Sequence, residues 1–458
     1  MLGLGDLLLT PLYLAVLYFI AYAVRNRFSN VYTRRYFIPA LTAKFVGAIG
    51  LGLIYAYYYG GGDTFNYYLH ASFIQQALHD SFPAGLKLLL TSGGTYDPQT
   101  AKYTANMFWY QPNSTEYLVS RITAVLGLLC FNTYMVIGLF FAALSFTGMW
   151  AMYLTFIKIR PQLYKELAIA VFFVPSVFFW GSGLMKDSLC IGALGWLFYA
   201  FYRGAIQKRS IISSAMLGVA MSYALVLIKV YILLCFLPPA LMWIFNENSA
   251  RIKNTLVRLM AKPLLLGIGA GLAFFAATNL TKGDEHYDID KIGERSKIVS
   301  EYLYETSVKQ NGSAYTLGEQ DGTLGSMVKL VPQAVVVSLY RPFLWEVHNP
   351  VMLLSSIEAL IFLIFTLRIV FRSGFFKTIS LIISTPSLTL CFVFALIFAG
   401  TVGVVSNNFG TLVRYKIQMI PFYLAGLYIT QSMSVPRRKT ATRAPLGTSA
   451  PATQLASV

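Results

Sequence analysis

The stretch IISSAMLGVAMSYALVLIKVYILLCFLPPALMWIF, Ile211 to Phe245, carries a single charge, Lys229, and its reading decides the fold class. About 20 apolar residues cross a bilayer as a helix, so this stretch is too long for one span and long enough for two. We place them at 211–228 and 230–247, with Lys229 marking the turn between them. Only helices and closed barrels satisfy their backbone polar groups in lipid, which makes helices the expected elements throughout. The same rule applied outward gives runs at 7–24, 38–59, 134–156, 166–183 and 188–203 before this stretch. It gives 263–280, 350–371, 386–406 and 415–433 after it. The expected fold is an all-α polytopic integral membrane protein with about eleven transmembrane helices over residues 1–433.

Composition agrees. Of 458 residues, 56% are hydrophobic and only 12% charged, which excludes an ordinary soluble enzyme, a disordered chain and a nucleic-acid-binding protein. The net charge of +17 comes from Lys and Arg gathered in short clusters between the apolar runs. Arg25, Arg27, Arg34 and Arg35 follow the first run; Lys158, Arg160 and Lys165 the third; Arg203, Lys208 and Arg209 the fifth. Arg251, Lys253, Arg258 and Lys262 follow the seventh, Arg372 and Lys377 the ninth, and Arg437, Arg438 and Lys439 the last. Alternate connections are basic, as cytoplasmic loops are, so the N-terminus is expected outside and the C-terminus inside. Cys130, Cys190, Cys235 and Cys391 sit in or beside apolar runs and suggest neither a disulfide nor a metal site. The run 7–24 is too long for a signal peptide and reads as a retained first helix.

Two expected outer loops are long, about 60–133 and 281–349, and long loops in compact domains usually carry function. Within them, 117–131 and 327–344 are apolar but short, and are expected as helices on or dipping into the outer interface. The Ser, Thr, Ala and Pro-rich residues 434–458 are expected to be a disordered cytoplasmic tail.

The candidate functional residues fall on the outer side. Gly60, Gly61 and Gly62 let the chain leave the second span sharply and put Asp63 at the membrane surface beside Tyr67 and Tyr68. A carboxylate there can take a proton from a hydroxyl or bind a divalent cation; it can equally be the N-cap of the next helix. No dedicated cofactor or metal motif is present, and His70, His79, His286 and His348 lack metal-ligand spacing. The acidic run Asp284, Glu285, Asp288 and Asp290 lacks the glycine and terminal glutamate of a calcium loop and reads as a solvated loop. Cations are expected to be scarce on the outer side, yet Arg121, Lys186, Lys229, Arg341, Arg414 and Lys416 all map near outer helix ends. Each can bind a phosphate or carboxylate, or serve locally: Arg121 by snorkelling, Lys186 with Asp187 as a hairpin ion pair, Arg341 with Glu346 as an internal salt bridge. Asn408 opens the segment holding Arg414 and Lys416. Glu358, inside the ninth span, is a functional candidate or a brace for one of these cations.

The ordered set formed by Gly61, Gly62 and Asp63 with the tyrosines, Trp180 to Ser188 (WGSGLMKDS), Arg341 to Glu346 (RPFLWE) and Asn408 to Lys416 (NFGTLVRYK) resembles bacterial O-antigen and exopolysaccharide polymerases and the related GT-C-type membrane glycosyltransferases. The likeness runs from about Gly60 to Ala425 through short motifs. It implies glycosyl transfer at the outer face of the inner membrane, using sugars linked to polyprenyl phosphate or pyrophosphate. By that likeness Asp63 is the catalytic carboxylate. Tyr67, Arg121, Lys186, Asp187, Lys229, Arg341, Glu346, Asn408, Arg414 and Lys416 then form the substrate-binding set, with membrane lipids and a polyprenyl-linked glycan as partners. The aspartate loop of GT-C enzymes usually follows the first span, whereas here it follows the second. The alternative classes are a transporter or flippase for lipid-linked saccharides or anionic solutes, and a non-catalytic membrane subunit.

Overall fold

The computed structural model describes residues 2–110, 115–249, 292–309 and 312–434. The expected span 263–280, the acidic run at 284–290, the basic clusters at 251–262 and 437–439 and the tail from 435 onward lie outside them. Among the described residues the secondary structure is helical, joined by turns and one isolated antiparallel bridge, Ala314 to Asn408.

Along the chain run α1 (Leu4–Val24), α2 (Arg34–Leu53, extended by a π-helical turn, Ile54–Tyr58), α3 (Asp63–Asp80), α4 (Phe82–Leu90), α5 (Ala101–Thr104) and α6 (Thr115–Leu128). Then come α7 (Tyr134–Ile159), α8 (Tyr164–Phe172), α9 (Pro175–Trp180), α10 (Lys186–Phe201, with a π-helical turn, Tyr202–Ile206) and α11 (Ile211–Ser249). After the gap follow α12 (Ile292–Lys309), α13 (Leu324–Tyr340), α14 (Pro350–Ser373), α15 (Phe375–Ser384), α16 (Pro386–Ser406), α17 (Phe409–Tyr415) and α18 (Ile420–Ser434).

Seven of these helices are long and apolar enough to cross a membrane: Leu4–Val24, Arg34–Tyr58, Tyr134–Ile159, Lys186–Ile206, Ile211–Glu247, Pro350–Ser373 and Pro386–Ser406. The chain is a multi-pass membrane protein. Four of the eleven expected runs take a different form. Run 166–183 is not one helix, because Pro175 has no N–H to continue α8 and holds Val174 in extended geometry (φ −79°, ψ 124°). The runs 211–228 and 230–247 form one helical element of 39 residues, broken only at Lys229 (φ −150°, ψ 81°). Run 415–433 becomes α17, a short 3-10 turn and the 15-residue α18.

The break in α11 turns the chain back on itself. A Cβ at Gly204 would touch Ser214 and one at Gly218 would touch Ala200, so the first arm runs up α10 from its far end. Lys229 meets Asp187 at the start of α10, and the second arm then retraces the path, with Phe236 on Phe198 and Trp243 on Phe201 and Tyr202. A straight helix of that length would reach about 58 Å, roughly twice the hydrocarbon core, whereas each arm is about 27 Å. The two expected spans are therefore present as two arms of one element.

The basic clusters collect at one end of the bundle. Arg35 lies over the Tyr164 ring at 4.7 Å, Lys158 over Tyr199 at 5.8 Å, and Arg160 reaches Met433. The start of α1 lies at the other end, where Asp6 accepts the Met135 N–H at 2.8 Å. Long-range packing is carried by small residues and rings. Gly148 of α7 faces Gly192 and Gly195 of α10 closely enough that added Cβ atoms would lie 1.9 and 2.1 Å from backbone oxygens. Buried Phe422 gathers Phe156, Phe198 and Phe394 at centroid distances of 5.5, 5.1 and 4.8 Å, tying α18 to α7, α10 and α16.

The short α9 is held at both ends by charges from spanning helices. Glu358 of α14 accepts the Ser176 N–H and hydroxyl at its start, and Lys44 of α2 donates to the Gly181 carbonyl at its end. Both signs suit the helix dipole. The hydrogen bonds of Glu358 thus go to Ser176 at the start of α9, and not to one of the outer cations that it was expected to brace. The helices α6 and α13 cover the expected interfacial segments, and each is too short to cross a bilayer upright. At the basic end, α15 exposes Phe375, Phe376 and Ile383 on one side, a short amphipathic helix where the sequence reading had a connection.

Candidate functional site

Away from the basic end, four ionisable side chains from four elements meet. Asp63 opens α3, Asp187 sits in the first turn of α10, Lys229 occupies the break in α11 and Arg414 lies in α17. Asp187 Oδ1 accepts from Lys229 Nζ at 2.6 Å and from Gln418 Nε2 at 3.3 Å, while its Oδ2 accepts from Arg414 Nε at 2.7 Å. Arg414 Nη1 then donates to Asp63 Oδ2 at 2.8 Å. The chain of contacts runs from inside outward: the Asp187 side chain has no exposed surface, Lys229 6%, Arg414 14% and Asp63 45%. Two acids oppose two bases, so a buried set that would be costly if unpaired is compensated.

Local sequence explains each placement. Gly60, Gly61 and Gly62 have φ of 68°, 150° and 116°, a backbone region that favours glycine, and they turn the chain from the end of α2 straight into α3. The ring of Tyr55, in the π-helical turn of α2, packs on Gly62 directly beside Asp63. Pi-helical turns often accompany functional sites. Asn407 takes a left-handed conformation that ends α16, and Asn408 Oδ1 caps α17 by accepting the Thr411 N–H at 3.0 Å. Arg414 and Lys416 consequently diverge: Arg414 enters the chain of charges, whereas Lys416 is buried on the side of Glu358.

Lys186 pairs with Glu116 and donates to Thr115 Oγ1 at 2.9 Å, joining α10 to α6. Tyr67, one turn after Asp63 on α3, is buried against Trp109 with ring centroids 4.8 Å apart. The Arg341 guanidinium forms a two-pronged ion pair with Glu346, as the sequence suggested, and lies over the rings of Phe409 (5.2 Å) and Tyr315 (5.9 Å). Burial pushes the Glu346 carboxyl up, but Arg341 and the Phe343 N–H outweigh it and hold the group below the usual carboxylate range. Since Phe409 starts α17, Arg341 bears on the helix that carries Arg414. Trp345 is exposed and stacks on Phe343 at 4.8 Å.

Arg121 has other partners. Its Nη1 donates to the carbonyls of Thr91 (2.7 Å) and Leu89 (3.3 Å), closing the C-terminal end of α4. The sequence does not point to Tyr55, Gln418 or Glu116, and within the motif NFGTLVRYK it assigns no role to Tyr415, whose ring lies 4.2 Å from the Lys229 ammonium. Each is an ordinary residue for its segment, and only the folded chain brings it to the site. Among the described residues no group of three or more histidine, cysteine or acidic side chains is arranged to hold a metal ion.

No protein-family model matches the chain, and searches of curated proteins and of solved structures find no similar protein.

Proposed function

We propose that the protein is a membrane-embedded glycosyltransferase or polysaccharide polymerase that acts at the outer face of a bacterial inner membrane on sugars carried by polyprenyl phosphate or pyrophosphate. The basic end of the bundle then faces the cytoplasm. The observation that carries the reading is the placing of Asp63: a half-exposed carboxylate, one oxygen fixed by Arg414 and the other without a hydrogen bond among the described residues, at the end of the bundle opposite the basic clusters.

In this mechanism an acceptor hydroxyl attacks the anomeric carbon, its proton passes to the free oxygen of Asp63, and the bond from that carbon to the phosphate oxygen breaks with its electron pair. Arg414, which keeps Nη2 unengaged among the described residues, and Arg341 supply positive charge toward the departing phosphate. Tyr67 and Trp109 shape the apolar side of the site. The experiment is a cell-surface glycan profile of a strain lacking the gene, complemented at matched expression with wild type, Asp63→Asn, Arg341→Ala or Arg414→Ala. Loss of a polymer that wild type restores and Asp63→Asn does not supports the reading. An unchanged profile in the deletion strain overturns it.

A transporter or flippase of lipid-linked saccharides or anionic solutes is favoured by one observation, the broken helices at Val174 and Lys229 whose ends meet buried charges. Accumulation of a lipid-linked saccharide on the inner leaflet of the deletion strain, with the polymerising activity intact in its membranes, would select it.

A further inference from the structure

Three donors converge on Asp187, and none of its surface is open. Lys229 is almost as enclosed, with its ammonium between that carboxylate and the Tyr415 ring. A phosphate reaching Lys229 would have to break this contact and leave a buried carboxylate short of a partner, which is strongly unfavourable. Arg414 differs because one of its edges faces inward to Asp187 and another outward to Asp63. Asp187 and Lys229 thus reach Asp63 only through Arg414.

We propose that Asp187 and Lys229 are positioning residues, which fix the plane and the net field of the Arg414 guanidinium against Asp63 and do not touch substrate. The proposal deepens the glycosyl-transfer reading and depends on it for its effect on polymer output, but its electrostatics stand apart from that reading. A guanidinium is a rigid planar fork, so committing Nε to Asp187 sets the direction from which Nη1 meets Asp63. Lys229 cancels the charge of Asp187. Removing the acid therefore exposes Asp63 to an extra positive charge, and removing the lysine exposes it to an extra negative one. The other ionisable neighbours are the same in both variants: Tyr55 from the end of α2, Tyr67 on α3, and Glu116 of α6 paired with Lys186 of α10.

The test uses the full chain in lipid nanodiscs, labelled with a water-soluble carbodiimide and an amine across a range of pH, with modification of Asp63 read by mass spectrometry. Asp187→Asn is expected to move the pH of half-maximal labelling of Asp63 down, and Lys229→Met to move it up, each by about half to one pH unit. Lys229→Arg is expected to restore the wild-type midpoint. Opposite signs distinguish this role from general loosening of the fold, which has no reason to move the two variants apart. Unmoved midpoints, or shifts of the same sign, overturn the proposal. If Asp187→Asn is not recovered as a monodisperse protein, the Lys229→Met and Lys229→Arg pair decides alone. Glycan output separates the two layers: opposite midpoint shifts together with full complementation by Asp63→Asn would sustain the positioning role and overturn glycosyl transfer.

Discussion

The carboxylate of Glu358 accepts the Ser176 N–H at 2.9 Å and the Ser176 hydroxyl at 2.6 Å, so a helix that crosses the bundle caps one that does not. Pro175 creates the break, and Glu358 satisfies the donor that the break frees.

Glu358→Ala leaves both Ser176 donors buried without an acceptor. It is expected to lower stability by about 2–4 kcal/mol, with a smaller loss for Glu358→Gln, which keeps one acceptor oxygen. Denaturant unfolding of the purified protein in mild detergent measures it. Equal midpoints for wild type and Glu358→Ala would show that the cap is dispensable.

The approach of α7 to α10 admits no side chain at Gly148 or Gly195. Alanine at either position is expected to cost about 1–3 kcal/mol by forcing the helices apart. Gly138, on the same α7, has open space around it, and there alanine is expected to stabilise by about 0.5–1 kcal/mol. Thermal melts of the three variants side by side check the contrast.

His70 of α3 is fully buried between Phe108 and Trp109, and neither ring nitrogen has a hydrogen-bond partner among the described residues. Burial pulls the imidazole down to about 4 from its ordinary 6.5. A depressed value means that the neutral form is the one favoured by folding. Its contribution is therefore present above pH 6.5 and lost as pH falls from there through about 4, up to roughly 3 kcal/mol. His70→Phe is expected to flatten the pH dependence of stability in that interval. An unchanged slope between pH 7 and 4 counts against it.

Arg121 closes α4 and is not among the charges that meet at Asp63. Arg121→Met is expected to lower the melting temperature while leaving glycan output near wild type at permissive temperature, unlike Arg414→Ala. Loss of output in a stably expressed Arg121→Met protein would return the residue to the site.

Much of the bundle could be read from the sequence because its signal is local. A lone lysine in Ile211 to Phe245 marks the reversal, and the glycines before Asp63 mark a sharp exit from α2. What escaped reading was either a matter of geometry or of distance along the chain. Pro175 signalled a break that the apolar run around it concealed. The π-helical turns have no evident sequence pattern. Six cations could be assigned to one side, yet which of them meet depended on pairs such as Asp63 with Arg414, 351 residues apart, and Asp187 with Gln418, 231 apart. Nothing local distinguishes Arg414, which bridges two acids, from Arg121, which ties down two carbonyls.

The four charges that meet around Asp187 sum to zero, whereas the clusters at the opposite end have few acids to offset them. The molecule is accordingly polarised along its own axis. In a membrane held at 100 mV, each cation carried across the full field is worth about 2.3 kcal/mol, and the neutral quartet contributes nothing to that balance. A potential across the membrane thus does work on the uncompensated basic clusters and none on the quartet that holds Asp63.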